Sequence, residues 1–386
     1  MDFELSAEQR LFRDTVRAFA EAEIRPVAAE MEASGEYPER IVGKMRQLGL
    51  FGLTIPEEFG GMAADLLSYA LAFEEISRCW MGVAGILGSH SLSCWMIAAY
   101  GTADQKRAYL PELASGARRT GIALTEPAAG TDLQGIETVA RLTGGQYVVT
   151  GRKTWITNAR HADPLPVLVK TDPAARPRHR GMSVLLVPAA TPGFQVTRDL
   201  PKLGYNGPET CEVVLDEARV PAAALLGGQE GRGLQQVLSA LEIGRINIAA
   251  RAVGVAQAAY DEALRYSGQR QAFGQPIGDF QAVALKLADM ATKIQAARLL
   301  TYWAANLRDK GRADMESGMA KVFASEVAVE CALTAMQVHG AYGYSREFVV
   351  ERLYRDAPLM AIGEGTNDIL RLVIARSLAS GRGKIN

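Results

Sequence analysis

Gln146-Tyr-Val-Val-Thr150, directly after the dipeptide Gly144-Gly145, is the stretch on which the architecture turns. β-branched and aromatic residues behind a double-glycine turn signal read as one strand of a hairpin. Four more short runs have the same texture: Pro166–Lys170, Met182–Val187, Phe194–Thr197 and Cys211–Leu215. Gly and Pro punctuate them closely, and no helical period runs through residues 120–230, so a small β-barrel or sandwich is expected there. Upstream, residues 1–119 read as helical. Ser6-Ala-Glu-Gln9 is a capping box, and Phe12, Val16, Phe19 and Ala20 recur on one helix face until Pro26 ends or bends it. Further helices are expected near 37–49, 64–78, 83–100 and 103–115. Downstream, residues 231–386 return to long helices near 232–266, 279–310, 314–341 and 367–380. The small face Ala249, Ala250, Val253 and Ala256 allows close helix approach, as in a bundle.

Composition narrows the function. The chain has 386 residues, 48% hydrophobic and 22% charged, with a formal net charge of −1. That balance lacks the basic surplus a nucleic-acid binder needs to neutralise phosphates. The cysteines Cys79, Cys94, Cys211 and Cys331 are far apart, and the histidines form no HExxH pair, so neither a metal site nor a disulfide framework is expected. The acidic start Met1-Asp-Phe-Glu4 is unlike a signal peptide, and no apolar run approaches the roughly 20 residues of a membrane span. A cytoplasmic protein is expected.

Six segments in order carry a resemblance: Ala123-Leu-Thr-Glu-Pro-Ala-Ala-Gly-Thr-Asp132, Gly151-Arg-Lys-Thr-Trp-Ile-Thr-Asn158, Leu241-Glu-Ile-Gly-Arg-Ile-Asn-Ile-Ala249, Arg270-Gln-Ala-Phe-Gly-Gln-Pro276 with Phe280-Gln281, Gln337-Val-His-Gly-Ala-Tyr-Gly-Tyr344, and Tyr354-Arg-Asp356 leading to Gly363-Glu-Gly-Thr-Asn-Asp-Ile-Leu-Arg371. Together they resemble the acyl-CoA dehydrogenase family, closest in texture to its short-chain and branched-chain members. The resemblance implies an α+β multidomain fold: an N-terminal helical domain, a middle β-barrel and a C-terminal four-helix bundle. It also implies FAD between barrel and bundle, a tetramer built as a dimer of dimers, and electron transfer to an electron-transfer flavoprotein.

The chemistry so implied is α,β-dehydrogenation of an acyl thioester. A desolvated carboxylate must take a weakly acidic α-proton while donors stabilise the developing enolate oxygen. Glu364 matches the family's base. Taken alone, Gly-Glu-Gly-Thr reads as a solvated turn with Thr366 as an N-cap. Some relatives carry the base immediately before the arginine of Leu241–Arg245, a position filled here by Gly244, which cannot serve. By resemblance, Leu124 and Thr125 hold the pyrimidine end of the flavin. Trp155, Ile156 and Thr157 lie against its ring system, where a lone strand tryptophan is more often barrel core. Arg270, Phe273 and Gln281 reach a neighbouring subunit's FAD, with Arg270 on the pyrophosphate. Gln337, Gly340 and Ala341 cover the adenine end, completed by Thr366, Asn367 and Asp368. Ala341 stands where the family usually has a second glycine. Thr131, Glu242, Arg245 and Gly365 are matched to the substrate; Arg245 reads equally well as a buried ion pair.

Gly363 replaces a tyrosine common just before the base, which predicts room for a branched or cyclic acyl group. Segment 79–92 lacks the arginine that dicarboxylate-specific relatives carry, which argues against glutaryl-type substrates. Three alternatives share the scaffold: a flavin oxidase or monooxygenase, a dehydrogenase of acyl-carrier-protein thioesters, and a non-catalytic partner subunit.

Overall fold

The computed structural model describes residues 4–380. Helix α1 (Ala7–Phe19) starts at Ser6, whose hydroxyl accepts from the Gln9 amide at 3.1 Å while the Gln9 side chain accepts from the Ser6 amide at 3.0 Å. These reciprocal bonds satisfy amides that a helix start otherwise leaves open. The helix widens into a π turn at Ala20–Ile24 and ends at the proline, as the missing N–H requires. There follow α2 (Ala28–Ser34), α3 (Glu39–Gln47), α4 (Leu66–Cys79), α5 (Met81–Tyr100) and α6 (Ala103–Ala114). By length and composition α5 could cross a bilayer, which corrects the expectation that no run approaches that length; 83% of its apolar window is buried within the protein, so it is a core helix here.

The central strands are β1 (Val139–Thr143), β2 (Gln146–Thr157), β3 (Leu165–Lys170), β4 (Met182–Val187), β5 (Phe194–Asp199) and β6 (Thr210–Pro221). They form one six-stranded sheet in the order β4-β3-β1-β2-β6-β5. The Gly144-Gly145 turn joins β1 to β2, both glycines at positive φ (58° and 78°), as tight hairpins demand. Strand β1 is not evident from the sequence, because Val-Ala-Arg-Leu-Thr lacks a run of β-formers. Every residue of β4 is buried.

Five helices close the chain: α7 (Gly233–Gln269), α8 (Gln281–Asp309), α9 (Asp314–His339), α10 (Val350–Ile362) and α11 (Asn367–Ala379), with a short hairpin, β7 (Gln271–Ala272) and β8 (Gln275–Pro276), after α7. The small residues Ala249, Ala250, Val253 and Ala256 are all buried along α7. Helix α10 was not expected from the sequence, although Val350, Leu353, Ala357 and Met360 recur on its buried face. One apolar core runs from the N-terminal helices through Leu168, Val184 and Leu186 of the sheet to Ile243, Ile246 and Ala250 of α7, so the regions pack as one body around α7.

Candidate active site

The loop between α10 and α11 carries Glu364 at φ 56° and Gly365 at φ 90°. Left-handed backbone costs a non-glycine residue roughly 1–2 kcal/mol, so something must hold it. Lys321 of α9 does: its ammonium donates to the Gly365 carbonyl at 2.8 Å, to Asn367 Oδ1 at 2.9 Å and to the Ala361 carbonyl at 3.2 Å. Lys321 is fully buried, and desolvation pushes its amine down to about 8 against the opposing pull of Glu364. No motif in the sequence singled Lys321 out. Thr366 caps α11, accepting from the Ile369 amide at 3.4 Å.

The carboxylate itself is poised. Oε2 of Glu364 is buried and has no hydrogen-bond partner. Desolvation pushes its pKa above the usual 4.5, opposed by Arg251, Arg245 and Lys321. A Cβ placed on Gly244 would lie 2.7 Å from that oxygen. Gly244 therefore leaves the room the carboxylate occupies.

A second group of predicted residues gathers on β2. Lys153 is fully buried and donates to the Leu124 carbonyl at 3.0 Å and to Glu126 Oε1 at 2.8 Å. Glu126 also accepts the Glu137 amide at 2.5 Å and the Thr138 amide at 3.1 Å, and the Thr154 amide donates to the Thr125 carbonyl at 2.9 Å. Burial pushes Lys153 down to about 8, while the lysine charge and these donors hold Glu126 below its usual range despite desolvation. The loop of Leu124 and Thr125 is thus fastened beside Trp155. A bulge between Lys153 and Ile156 and a φ of 62° turn the Trp155 indole outward, 56% exposed, while Ile156 is buried. Thr157 is half-buried and Thr131 exposed.

The third group is on the surface. Arg270, Gln281, Gln337, Gly340 and Ala341 are exposed, and Phe273, at φ 52°, is 96% exposed. Lys286 donates to Gln337 at 2.7 Å, tying the start of α8 to the end of α9. Ala341 is absent from the positive-φ positions, so alanine there is unstrained. Among the described residues Arg270 has no ion-pair partner. An outward indole on rigid strand backbone and an uncommitted guanidinium suit a cofactor with a flat ring system at one end and phosphates at the other.

Other predicted residues have internal work. Glu242 is fully buried between Arg308 (2.9 Å) and Arg312 (3.0 Å), and Arg245 pairs with Asp314. Asn367 is buried and bonded to Lys321, Ser325 and Glu326. Asp368 and Gly365 are exposed.

Sequence reading missed a buried polar cluster beside the base. Tyr205, at φ 60°, donates its amide to Asp356 Oδ1 at 2.6 Å, and burial pushes the Asp356 carboxyl up to about 6. The Tyr205 hydroxyl occupies space that only glycine leaves on α5: a Cβ on Gly85 would be 1.9 Å from it. Arg251 of α7, 5% exposed, sits 5.1 Å from the Tyr205 ring centre. Asn247 donates to the Tyr69 hydroxyl at 3.1 Å and lies against Gly88. Asp356, in the quoted Tyr354-Arg-Asp segment, was the one available clue.

Three family models match in order: the N-terminal domain of acyl-CoA dehydrogenase over residues 6–117, its middle domain over 121–218 and its C-terminal domain over 231–379. The chain is 45% identical to a probable acyl-CoA dehydrogenase of Bacillus subtilis (strain 168), over 98% of this chain and 100% of that one. It is 39% identical to the CarC subunit of the caffeyl-CoA reductase–Etf complex of Acetobacterium woodii, covering 97% and 98%. Its structure superposes on butyryl-CoA dehydrogenase from Megasphaera elsdenii with a TM-score of 0.95 at 36% identity, covering 98% and 100%.

Proposed function

Because the chain belongs to the acyl-CoA dehydrogenase family of FAD-dependent oxidoreductases, we propose that it dehydrogenates a short- or branched-chain acyl-CoA to the trans-2-enoyl-CoA, with Glu364 as base and an electron-transfer flavoprotein as acceptor. The observation that carries this reading is the unpartnered, desolvated Oε2 of Glu364 above Gly244. A carboxylate without water or a hydrogen bond is a stronger base than one in solution, and it is free to take a proton. The strained loop, clamped by Lys321, keeps it from turning to solvent.

FAD, when bound, accepts the β-hydrogen with its electron pair. We assign Trp155, Ile156 and Thr157, with Leu124 and Thr125, to its ring system. Arg270, Phe273, Gln281, Gln337, Gly340 and Ala341 are assigned to the dinucleotide half from a neighbouring subunit, so the site needs at least two subunits, and a homotetramer is the proposed working form. The Glu364 amide, which bonds no carbonyl among the described residues, is placed to donate to the thioester oxygen as negative charge builds there. A cleft of about 440 Å³ lined by Gly135, Glu137, Lys170, Asp172, Arg176 and Arg178 is assigned to the CoA phosphates, to which its three cations can donate. Glu242 and Arg245, spent on ion pairs, shape the pocket wall rather than touch the reacting carbons. Beside Gly363, an added Cβ would meet only the Leu359 carbonyl oxygen at 3.4 Å, open space for acyl branching. We also propose domain divisions at 119/120 and 230/231 and a cytoplasmic location.

A second reading is the reverse reaction, because one relative is named as a subunit of a caffeyl-CoA reductase–Etf complex. Protonated Glu364 would then deliver the α-proton. Anaerobic titration of the yellow protein with acyl-CoAs tests both. Bleaching by butyryl- or isobutyryl-CoA, abolished in Glu364→Gln, supports dehydrogenation. Failure of every saturated thioester to bleach the flavin, with reoxidation of the dithionite-reduced protein by enoyl-CoAs, supports reduction. A flavin indifferent to both refutes the assignment.

A further inference from the structure

Among the described residues Arg251 is the one arginine whose Nε and Nη2 are both buried without a hydrogen-bond partner. Those two N–H groups form one edge of the guanidinium, and the protein uses that edge repeatedly to grip a carboxylate. Arg17 holds Glu75 through it at 2.9 and 2.6 Å, Arg355 holds Glu351 at 2.7 and 2.9 Å, and Arg25 holds Glu21 in the same way. Such forks are the strong, directional form of the arginine–carboxylate pair. An edge of this kind, buried and empty, is costly to maintain unless something fills it.

Its place in the fold says what that is. Arg251 follows Gly244 by two helical turns on α7, so both lie on one helix face, and α-helical side chains lean back toward the N-terminal turn. Gly244 lies under the Glu364 carboxylate. Arg251 is the leading charge acting on Glu364, yet no oxygen of Glu364 pairs with it. The surrounding wall is rigid. Tyr205 lies over the guanidinium at 5.1 Å, its backbone pinned at φ 60° by Asp356. Asn247 is fixed by Tyr69. Tyr205 and Glu364 are both held at positive φ, 60° and 56°, a strain that only firm surroundings sustain.

We propose that Arg251 is a specificity residue that receives a carboxylate at the far end of the acyl group, so that the preferred substrate is a short dicarboxylic acid bound as its monothioester. The proposal rests on the acyl-thioester reading given above. The α-carbon lies at Glu364 and the distal carboxylate at the Nε–Nη2 edge, with a few methylenes bridging them. Segment 79–92 carries no arginine for a dicarboxylate; here the arginine enters from α7 instead. One consequence follows for the chemistry. Free Arg251 lowers the basicity of Glu364, and a bound carboxylate cancels that charge, so the correct substrate strengthens its own base.

The test compares length-matched thioesters on the FAD-loaded enzyme. Glutaryl-CoA and valeryl-CoA differ at the distal carbon, carboxylate against methyl. Dissociation constants are taken by titrating the Glu364→Gln holoenzyme, where no turnover interferes, and kcat/KM on the wild type. Glutaryl- or adipyl-CoA should bind at least about tenfold tighter than its unbranched neutral counterpart, the range of a charge-assisted fork. Arg251→Met should erase that preference, with FAD content retained, and Arg251→Lys should keep part of it. An equal or higher kcat/KM for valeryl-CoA on the wild-type enzyme overturns the proposal while leaving dehydrogenation intact, and needs no variant to fold. Preference for the glutaryl methyl ester over glutaryl-CoA overturns it too, since Arg251 then serves a neutral oxygen. If dicarboxylyl thioesters bind tightly but neither bleach nor reoxidise the flavin, the recognition site stands and the reaction assignment falls.

Discussion

A Cβ on Gly244 would stand 2.7 Å from Oε2 of Glu364, so two positions far apart in the chain point at one spot in the active site. A base placed at either can address the same α-carbon. Glu364→Gly should cut kcat by roughly 10²–10⁴-fold. Adding Gly244→Glu should restore part of that loss, whereas Gly244→Glu in the presence of Glu364 crowds two carboxylates together and should lower activity. Stopped-flow rates of flavin reduction measure all three.

Lys321 fastens the strained loop through three acceptors and also lowers the Glu364 pKa. Lys321→Met should lower stability by about 1–3 kcal/mol, because buried acceptors lose their donor. It should also move the acid limb of the kcat/KM profile to higher pH, since a positive charge near the base has gone. An unchanged limb with reduced stability would make Lys321 a loop anchor only.

Burial raises the Glu364 pKa above 4.5. The folded protein therefore holds this proton longer than the unfolded chain, and stability attributable to the residue is full below pH 4.5 and lost as pH rises through the folded value. Glu364→Gln should raise the Tm of the protein near pH 8 and have no such effect near pH 4. Thermal melts at matched ionic strength and FAD content check the sign.

Gly363 sits at φ −67°, with only one carbonyl oxygen near its missing Cβ. Gly363→Tyr should fold without backbone strain and fill the space beside the α- and β-carbons. The ratio of isobutyryl-CoA to butyryl-CoA turnover should fall severalfold; a constant ratio would place the branch elsewhere.

Arg176 and Arg178 line the cleft assigned to the CoA phosphates. Alanine at both should raise KM for an acyl-CoA about tenfold or more, on the scale of lost charge-assisted bonds, and leave the pantetheine thioester unaffected. Equal effects on both thioesters would remove the cleft from CoA recognition.

Much of this was legible in the chain itself. The capping box at Ser6–Gln9 appears as read, because it depends on residues three apart. The small face of α7 is buried as its periodicity requires. The strands behind Gly144-Gly145 appear because local propensity and burial agree there; β1 escaped because a mixed strand sends a weak local signal, whereas α10 was passed over although its apolar residues do recur on one face. Glu364 and Trp155 were named through motif resemblance.

The sequence by itself determined the family, the order of helices and strands, and the residue types from which base and cofactor contacts are drawn, all of which reside in local patterns and contiguous motifs. Only the tertiary structure decided that Lys321 holds the base loop, that Glu242 and Arg245 are spent on ion pairs, and that Arg251 keeps an empty donor edge beside Tyr205. Whether a buried charge is satisfied depends on atoms brought together from distant segments, and no spacing along the chain records that.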